Sequence, residues 1–202
     1  MKLFYKPGAC SMASHIALHE IDADFEIDEV DTAAGVTTNG EDFGLVNPKG
    51  YVPALRFEDG MVLTEGPAIL QHLADSDATQ SLTFPAGSRD RAQMLSQLTF
   101  VSSELHKAFN PLFTDSTTDA EAEAARAAVG RKFDVVEQEL KQGQEFLGAK
   151  FTIADAYLFV VSNWANFTGI SLSNWPKLQA FVARIAARPA VQRAMKAEGL
   201  IA

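Results

Sequence analysis

Residues 1–80 predict a small α/β unit built on a mixed sheet, and residues 88–202 predict a bundle made only of helices. In the first stretch, short β-like runs at 2–6, 25–28, 54–57 and 61–63 are interleaved with helix-like runs. Both periodicities stop around Asp75-Ser76-Asp77 and again at Phe84-Pro85-Ala86-Gly87, which marks a linker over 81–87. Beyond it, apolar residues recur almost only at the three-and-four spacing of helices.

Taken in order, the first strand breaks at Pro7-Gly8, and Ala9-Cys10-Ser11 enters a helix whose Ile16, Leu18 and Ile21 fall near helical spacing. The alternation at 25–28 reads as a second strand. Residues 31–47 are polar and irregular, with a short helical turn expected over 41–46. Two strands at 54–57 and 61–63 follow, joined by Asp59-Gly60, which supplies the positive φ angles of a tight hairpin. Thr64 is placed to cap a helix over 67–73, with Glu65 at its positive end beside unpaired backbone N–H groups. Ser88 caps a long helix with Leu95, Leu98, Leu105, Phe109 and Leu112 on one stripe. Thr117-Thr118-Asp119 opens another, carrying Ala125, Val129, Phe133, Val136 and Leu140 and ending by Gly143. Thr152-Ile153-Ala154-Asp155 is a capping-box pattern, and the helix after it is apolar on nearly all sides, so it belongs in the middle of the bundle. Prolines 176 and 189 open the last two helices, through Ile185 and Lys196.

With 202 residues, 47% hydrophobic and 21% charged, the chain buries a full core and is not disordered. A net charge of −9 disfavours a nucleic-acid surface or docking on anionic lipid. No run reaches membrane-spanning length, and the opening residues carry no signal-peptide pattern. One cysteine forms no internal disulfide, and the expected compartment is the cytoplasm.

Cys10, at the start of the first helix, sits where the helix N-terminus stabilises a thiolate, and the Pro-Gly turn before it favours exposure over burial as a small hydrophobe. Alanine at position 13 leaves no Cys-x-x-Cys pair. Pro53, just ahead of a strand, suits a cis bond and leaves neighbouring main chain for a ligand. A carboxylate at Glu65 beside helix N–H groups suits an amino-acid-like ligand; taken alone, the corner equally reads as an ordinary hairpin-helix junction. Thr99, Ser103, His106 and Asn110 form a polar stripe that reads as a solvated face. His15 and His19 are one turn apart but have no second ligand pair, so no metal is expected, and His72 reads as a surface residue.

On these residues the chain resembles the cytosolic glutathione transferases, most closely the bacterial beta class, over essentially its whole length. The resemblance rests on residues 1–11, which end in Lys6-Pro7-Gly8-Ala9-Cys10-Ser11, and on Asn47-Pro48-Lys49-Gly50-Tyr51-Val52-Pro53-Ala54-Leu55. It also rests on Glu104-Leu105-His106-Lys107-Ala108-Phe109-Asn110-Pro111-Leu112-Phe113 and Phe151-Thr152-Ile153-Ala154-Asp155. The resemblance implies a thioredoxin-like α/β N-terminal domain over 1–80, an all-α C-terminal helical bundle over 88–202, and a homodimer. It implies that glutathione is a cosubstrate, paired main chain to main chain with Val52 beside cis-Pro53. The γ-glutamyl end would be received by Glu65 and Gly66. Cys10 would lie by the glutathione sulfur, able to form a mixed disulfide, with His106 nearby. Ser103, Glu104 and Lys107 would approach the site, partly from the partner chain. An apolar cosubstrate would meet Phe109, Phe113 and Trp164, which read as core residues first.

Two positions depart from the family pattern. Position 66, usually a hydroxyl residue, is glycine, and position 35, a lysine in many beta-class members, is Gly35, which leaves Lys107 as the nearest basic candidate. A bond to a charged group is worth roughly 1.5–3 kcal/mol, so weaker glutathione binding is expected. Pro67 is expected to hold Gly66 extended, without a positive φ. The expected activity is conjugation of the glutathione thiol to small apolar electrophiles. The alternatives are specialised thiol chemistry through Cys10 (ether cleavage, dehalogenation or disulfide reduction) and a non-catalytic binding or regulatory protein on the same fold.

Overall fold

The computed structural model describes all 202 residues and divides them into two compact units, Met1–Thr83 with Ala187–Ala202, and Phe84–Ala186. The first unit holds a five-stranded sheet in the order β3-β2-β1-β4-β5, made of Lys2–Tyr5 (β1), Glu26–Asp31 (β2), Val36–Thr37 (β3), Ala54–Arg56 (β4) and Val62–Thr64 (β5). Only β1 and β2 run parallel, as the helix between them (α1, Ser11–Glu20) requires; the other pairs are antiparallel. Alternation along β1 sends Phe4 to one face, where it meets Val30, Phe43, Val46, Val52 and Ala54. Leu3 and Tyr5 point to the other face, covered by α1 and by α3 (Gly66–Ser76), with Tyr5 6.0 Å from the His15 ring.

The second unit is helical: α4 (Arg89–Phe100), a π turn at Val101–Leu105, α5 (His106–Phe109), α6 (Asp119–Glu139), α7 (Ile153–Asn163) and α8 (Pro176–Ala186). Ser88 caps α4 by accepting from the Arg91 N–H, and Thr118 with Glu121 closes a capping box on α6. As its composition requires, α7 is buried from Ile153 through Ser162 and packs against α4 and α8. Its capping box is buried: Asp155 accepts from the Thr152 N–H (2.8 Å) and hydroxyl (2.7 Å) and from the Phe146 N–H (2.7 Å). Burial pushes this carboxyl up to about 6, against those bonds.

Several expectations need correction. The irregular stretch contains β3, too short to show a period; it is entered through a turn in which Asp31 accepts from the N–H groups of Ala33 and Ala34 and Gly35 takes φ +71°. The short helix α2 covers only Phe43–Val46. In the hairpin Gly60 alone takes positive φ, at +88°. Thr64 belongs to β5, paired with Ala54, so the residue ahead of α3 is Glu65, at φ +72° and without a side-chain cap bond. Gly66 is the first helical residue rather than extended, and its φ is not positive. The long helix expected from Ser88 is interrupted by the π turn, and Gly143 lies beyond the end of α6.

The last helix, α9 (Pro189–Ala197), and the residues after it join the first unit instead of completing a domain over 88–202. Side chains explain this. Buried Glu198 accepts from the Gly8 N–H (2.9 Å) and lies 2.9 Å from His15 Nδ1, and Arg188 binds Glu20 through two nitrogens at 2.8 and 3.0 Å. A charge buried this deeply needs those partners, so the segment is held against α1.

Candidate functional site

In the first unit, the turn before α1 positions Cys10. Gly8 takes φ +69°, the Ala9 N–H donates to the Lys6 carbonyl at 3.0 Å, and the Ser11 hydroxyl accepts from the Lys6 N–H at 3.2 Å. Cys10 is the half-buried residue at the N-cap of α1, and its Sγ lies 3.6 Å from the Val52 carbonyl oxygen, a contact a thiol makes as donor. The Val52-Pro53 bond is cis. The structure thus brings Cys10, Val52 and Pro53 together.

Glu65 is the second feature of this unit. Its Oε1 accepts from Lys49 Nζ at 2.5 Å and from the Tyr51 hydroxyl at 2.9 Å, and Lys49 also reaches the Thr64 hydroxyl at 3.2 Å. The bond to Glu65 holds the Lys49 ammonium and the Tyr51 phenol above their ordinary ranges. The Glu65 carbonyl accepts from the Ala68 and Ile69 N–H groups, both at 3.0 Å. A non-glycine residue at φ +72° stores backbone strain of order 1 kcal/mol, as residues at ligand sites often do. Lys49 and Tyr51 were missed as site residues. The signal was available: pairing Ala54 with Thr64 brings the residues before β4 beside those after β5. Within this unit Lys49 is the basic group beside Glu65, and Gly35 sits at φ +71°, a conformation a lysine adopts with strain.

In the second unit, His106 is not on a solvated face. It is half-buried, its Nδ1 is 2.8 Å from the Tyr157 hydroxyl, and its ring meets Trp164 edge-on at 4.9 Å. Burial, with a smaller contribution from the Lys107 charge, lowers its pKa to about 4, so it is neutral at neutral pH. Around it Phe109, Phe113 and Trp164 make one aromatic cluster with centroids 5.3–6.3 Å apart. Phe109 is fully buried and Trp164 nearly so; Phe113, 53% exposed, is the ring that offers surface to a ligand. Ser103 is exposed and donates to the Thr99 carbonyl at 2.9 Å; Glu104 pairs with Lys132 at 2.5 Å; Lys107 is exposed. Tyr157 was also missed, hidden in the apolar pattern of α7.

The remaining histidines do other work. The His15 and His19 rings stack at 5.0 Å and both meet Phe25 edge-on; no grouping of His, Cys, Asp or Glu is arranged to hold a metal. His72 is exposed against Phe57.

A thioredoxin-like mixed sheet with a cis-proline corner beside the first helix, joined in sequence to an all-helical unit, defines the class of glutathione-transferase folds. The chain belongs to the glutathione S-transferase family. Residues 8–76 match the glutathione S-transferase N-terminal domain and residues 100–189 the C-terminal domain. The chain is 46% identical to glutathione S-transferase GstA of Escherichia coli O157:H7 over 200 residues, covering 99% of this chain and 100% of that one. A sphingomonad glutathione S-transferase solved in complex with glutathione is 48% identical, with TM-score 0.94 and full coverage of both chains. The bacterial beta-class enzyme of Sphingomonas chungbukensis is 45% identical, with TM-score 0.95 and again full coverage.

Proposed function

We propose that this enzyme of the glutathione S-transferase family acts as a homodimer that holds glutathione against Val52, cis-Pro53 and Glu65 and conjugates its thiol to small, largely apolar electrophiles. The observation that carries the reading is the Cys10 thiol at the Val52 carbonyl, beside the cis-proline and at the start of α1. An extended peptide-like ligand pairs there with the Val52 main chain. Its γ-glutamyl ammonium competes with Lys49 for Glu65, and its carboxylate meets the start of α3 at Gly66. Its sulfur lies by Cys10.

In the reaction, the glutathione thiol gives its proton to solvent, and the thiolate attacks the electrophilic carbon. A sulfur–carbon bond forms as the leaving group departs with its electron pair. His106, neutral and tied to Tyr157 through Nδ1, offers Nε2 as the hydrogen-bonding atom toward the sulfur. Phe113, backed by Phe109 and Trp164, provides apolar surface for the second substrate, and Ser103, Glu104 and Lys107 approach the site. No metal takes part. Cytoplasmic residence fits a chain in which no helix is long and apolar enough to cross a membrane.

The test is calorimetric titration with glutathione, followed by turnover over a panel of aromatic and alkyl halides. Binding below millimolar with turnover of at least one electrophile is expected. Binding without turnover across the panel would leave a ligand-binding protein. Mixed-disulfide substrates added to the panel separate conjugation from thiol exchange through Cys10.

A further inference from the structure

We infer that the π turn at Val101–Leu105 is a positioning element for His106, whose one extra residue rotates the imidazole off the polar face of the helix and onto Tyr157 and Trp164. The inference deepens the proposed function, since it assigns how the helix presents the histidine offered to the glutathione sulfur.

The buried residues Met94, Leu98 and Val101 fix the core direction of α4. Continued as a regular helix at roughly 100° per residue, the chain would place His106 roughly 120° from Met94, beside Thr99 and Ser103 on the solvated side. The structure departs from that path at one point. The His106 N–H donates to the carbonyl of Val101, five residues back instead of four. One extra residue in the turn sets everything downstream back by roughly 100°, which brings His106 to within roughly 20° of the core direction. The contacts agree. Thr99 and Ser103 are exposed, whereas His106 is half-buried, bonded to Tyr157 at 2.8 Å and set against Trp164 at 4.9 Å.

Local chemistry explains why the turn opens here. The hydroxyls of Ser102 and Ser103 both donate to the Thr99 carbonyl, at 3.0 and 2.9 Å, and the Thr99 hydroxyl donates to the Leu95 carbonyl at 2.7 Å. Hydroxyls that bond back to the preceding turn compete with regular i→i+4 pairing and loosen a helix locally, which favours a widened turn at this point. The three hydroxyl residues within five positions thus favour the turn, while the orientation of the histidine after it is set by the residue count.

Deleting Ser102 from the full-length chain removes the extra residue; Thr114–Thr118 follows as irregular loop and can absorb the shift. The deletion is expected to restore a regular helix and release His106 from Tyr157. Its ring protons, followed by NMR, should then titrate at least one pH unit above their wild-type midpoint. With an aromatic halide and glutathione, kcat should fall about tenfold, while Ser102→Ala, which keeps the residue count, stays within about twofold of wild type. A folded deletion variant whose His106 midpoint is unmoved overturns the inference, as does a moved midpoint with unchanged kcat. Should the deletion variant not fold, wild type decides. NMR coupling across the hydrogen bond from the His106 nitrogen must reach the Val101 carbonyl carbon, and coupling to Ser102 instead refutes the turn. If wild type shows no activity with glutathione, the functional reading fails, while the titration and coupling still judge the turn itself.

Discussion

Replacing His106 by Asn should flatten the acid limb of the stability profile. Burial lowers the pKa of His106 from 6.5 to about 4, so between those values the unfolded chain takes up a proton that the folded chain refuses. The stabilisation is therefore complete above pH 6.5 and is lost as pH falls through 4. By linkage the loss is about 2 kcal/mol at pH 5 and approaches about 3 kcal/mol near pH 4. Two other groups act in the same window. His19, also lowered to about 4 chiefly by burial, adds a loss of the same sign. Asp155, raised from 3.8 to about 6, contributes stability that is full below 3.8 and lost as pH rises through 6, and so opposes both. The wild-type curve alone thus mixes opposing contributions, and the informative quantity is the difference between variant and wild type. Urea unfolding at pH 7.5, 6, 5 and 4.5, at one protein concentration, measures it. The destabilisation caused by His106→Asn should shrink by about 2 kcal/mol between pH 7.5 and 5. A difference constant across that range would mean that His106 is not held neutral by burial, and the reasoning would fail.

Three further outcomes are expected. Asp155→Ala strips the partners from the Thr152 and Phe146 N–H groups at the buried start of α7 and should cost about 3 kcal/mol in urea unfolding at pH 7.5; a loss below about 1 kcal/mol would mean that water replaces the carboxylate there. Gly66→Ser, at a position whose φ is not positive, should tighten glutathione binding about fivefold by calorimetry, and equal or weaker binding at unchanged melting temperature would turn attention to Gly35. Incubation with oxidised glutathione should add one glutathione to wild type and none to Cys10→Ser by mass spectrometry, and an unmodified folded wild type would remove Cys10 from the thiol chemistry.

How much of this is legible in the sequence alone depends on the range of the interaction. The strand run at 2–6, the Pro7-Gly8 break, the Ser88 cap, the helix start at Thr118 and the capping box at Thr152 are each complete within a few residues, so the sequence alone determines them. So too the all-apolar α7 could only be a central helix, because no face of it tolerates water. Cys10 at a helix start and Pro53 before a strand were readable for the same reason. Three features needed the tertiary structure. A regular helix would leave His106 on the solvated side, and the i→i+5 turn before it rotates every residue that follows. The Lys49 and Tyr51 contacts to Glu65 exist only once β4 and β5 pair. The last sixteen residues read as one more amphipathic helix whose owner no local pattern names. Glu198, buried between Gly8 and His15, assigns them to the first unit, since a carboxylate removed from water must find its donors wherever the fold supplies them.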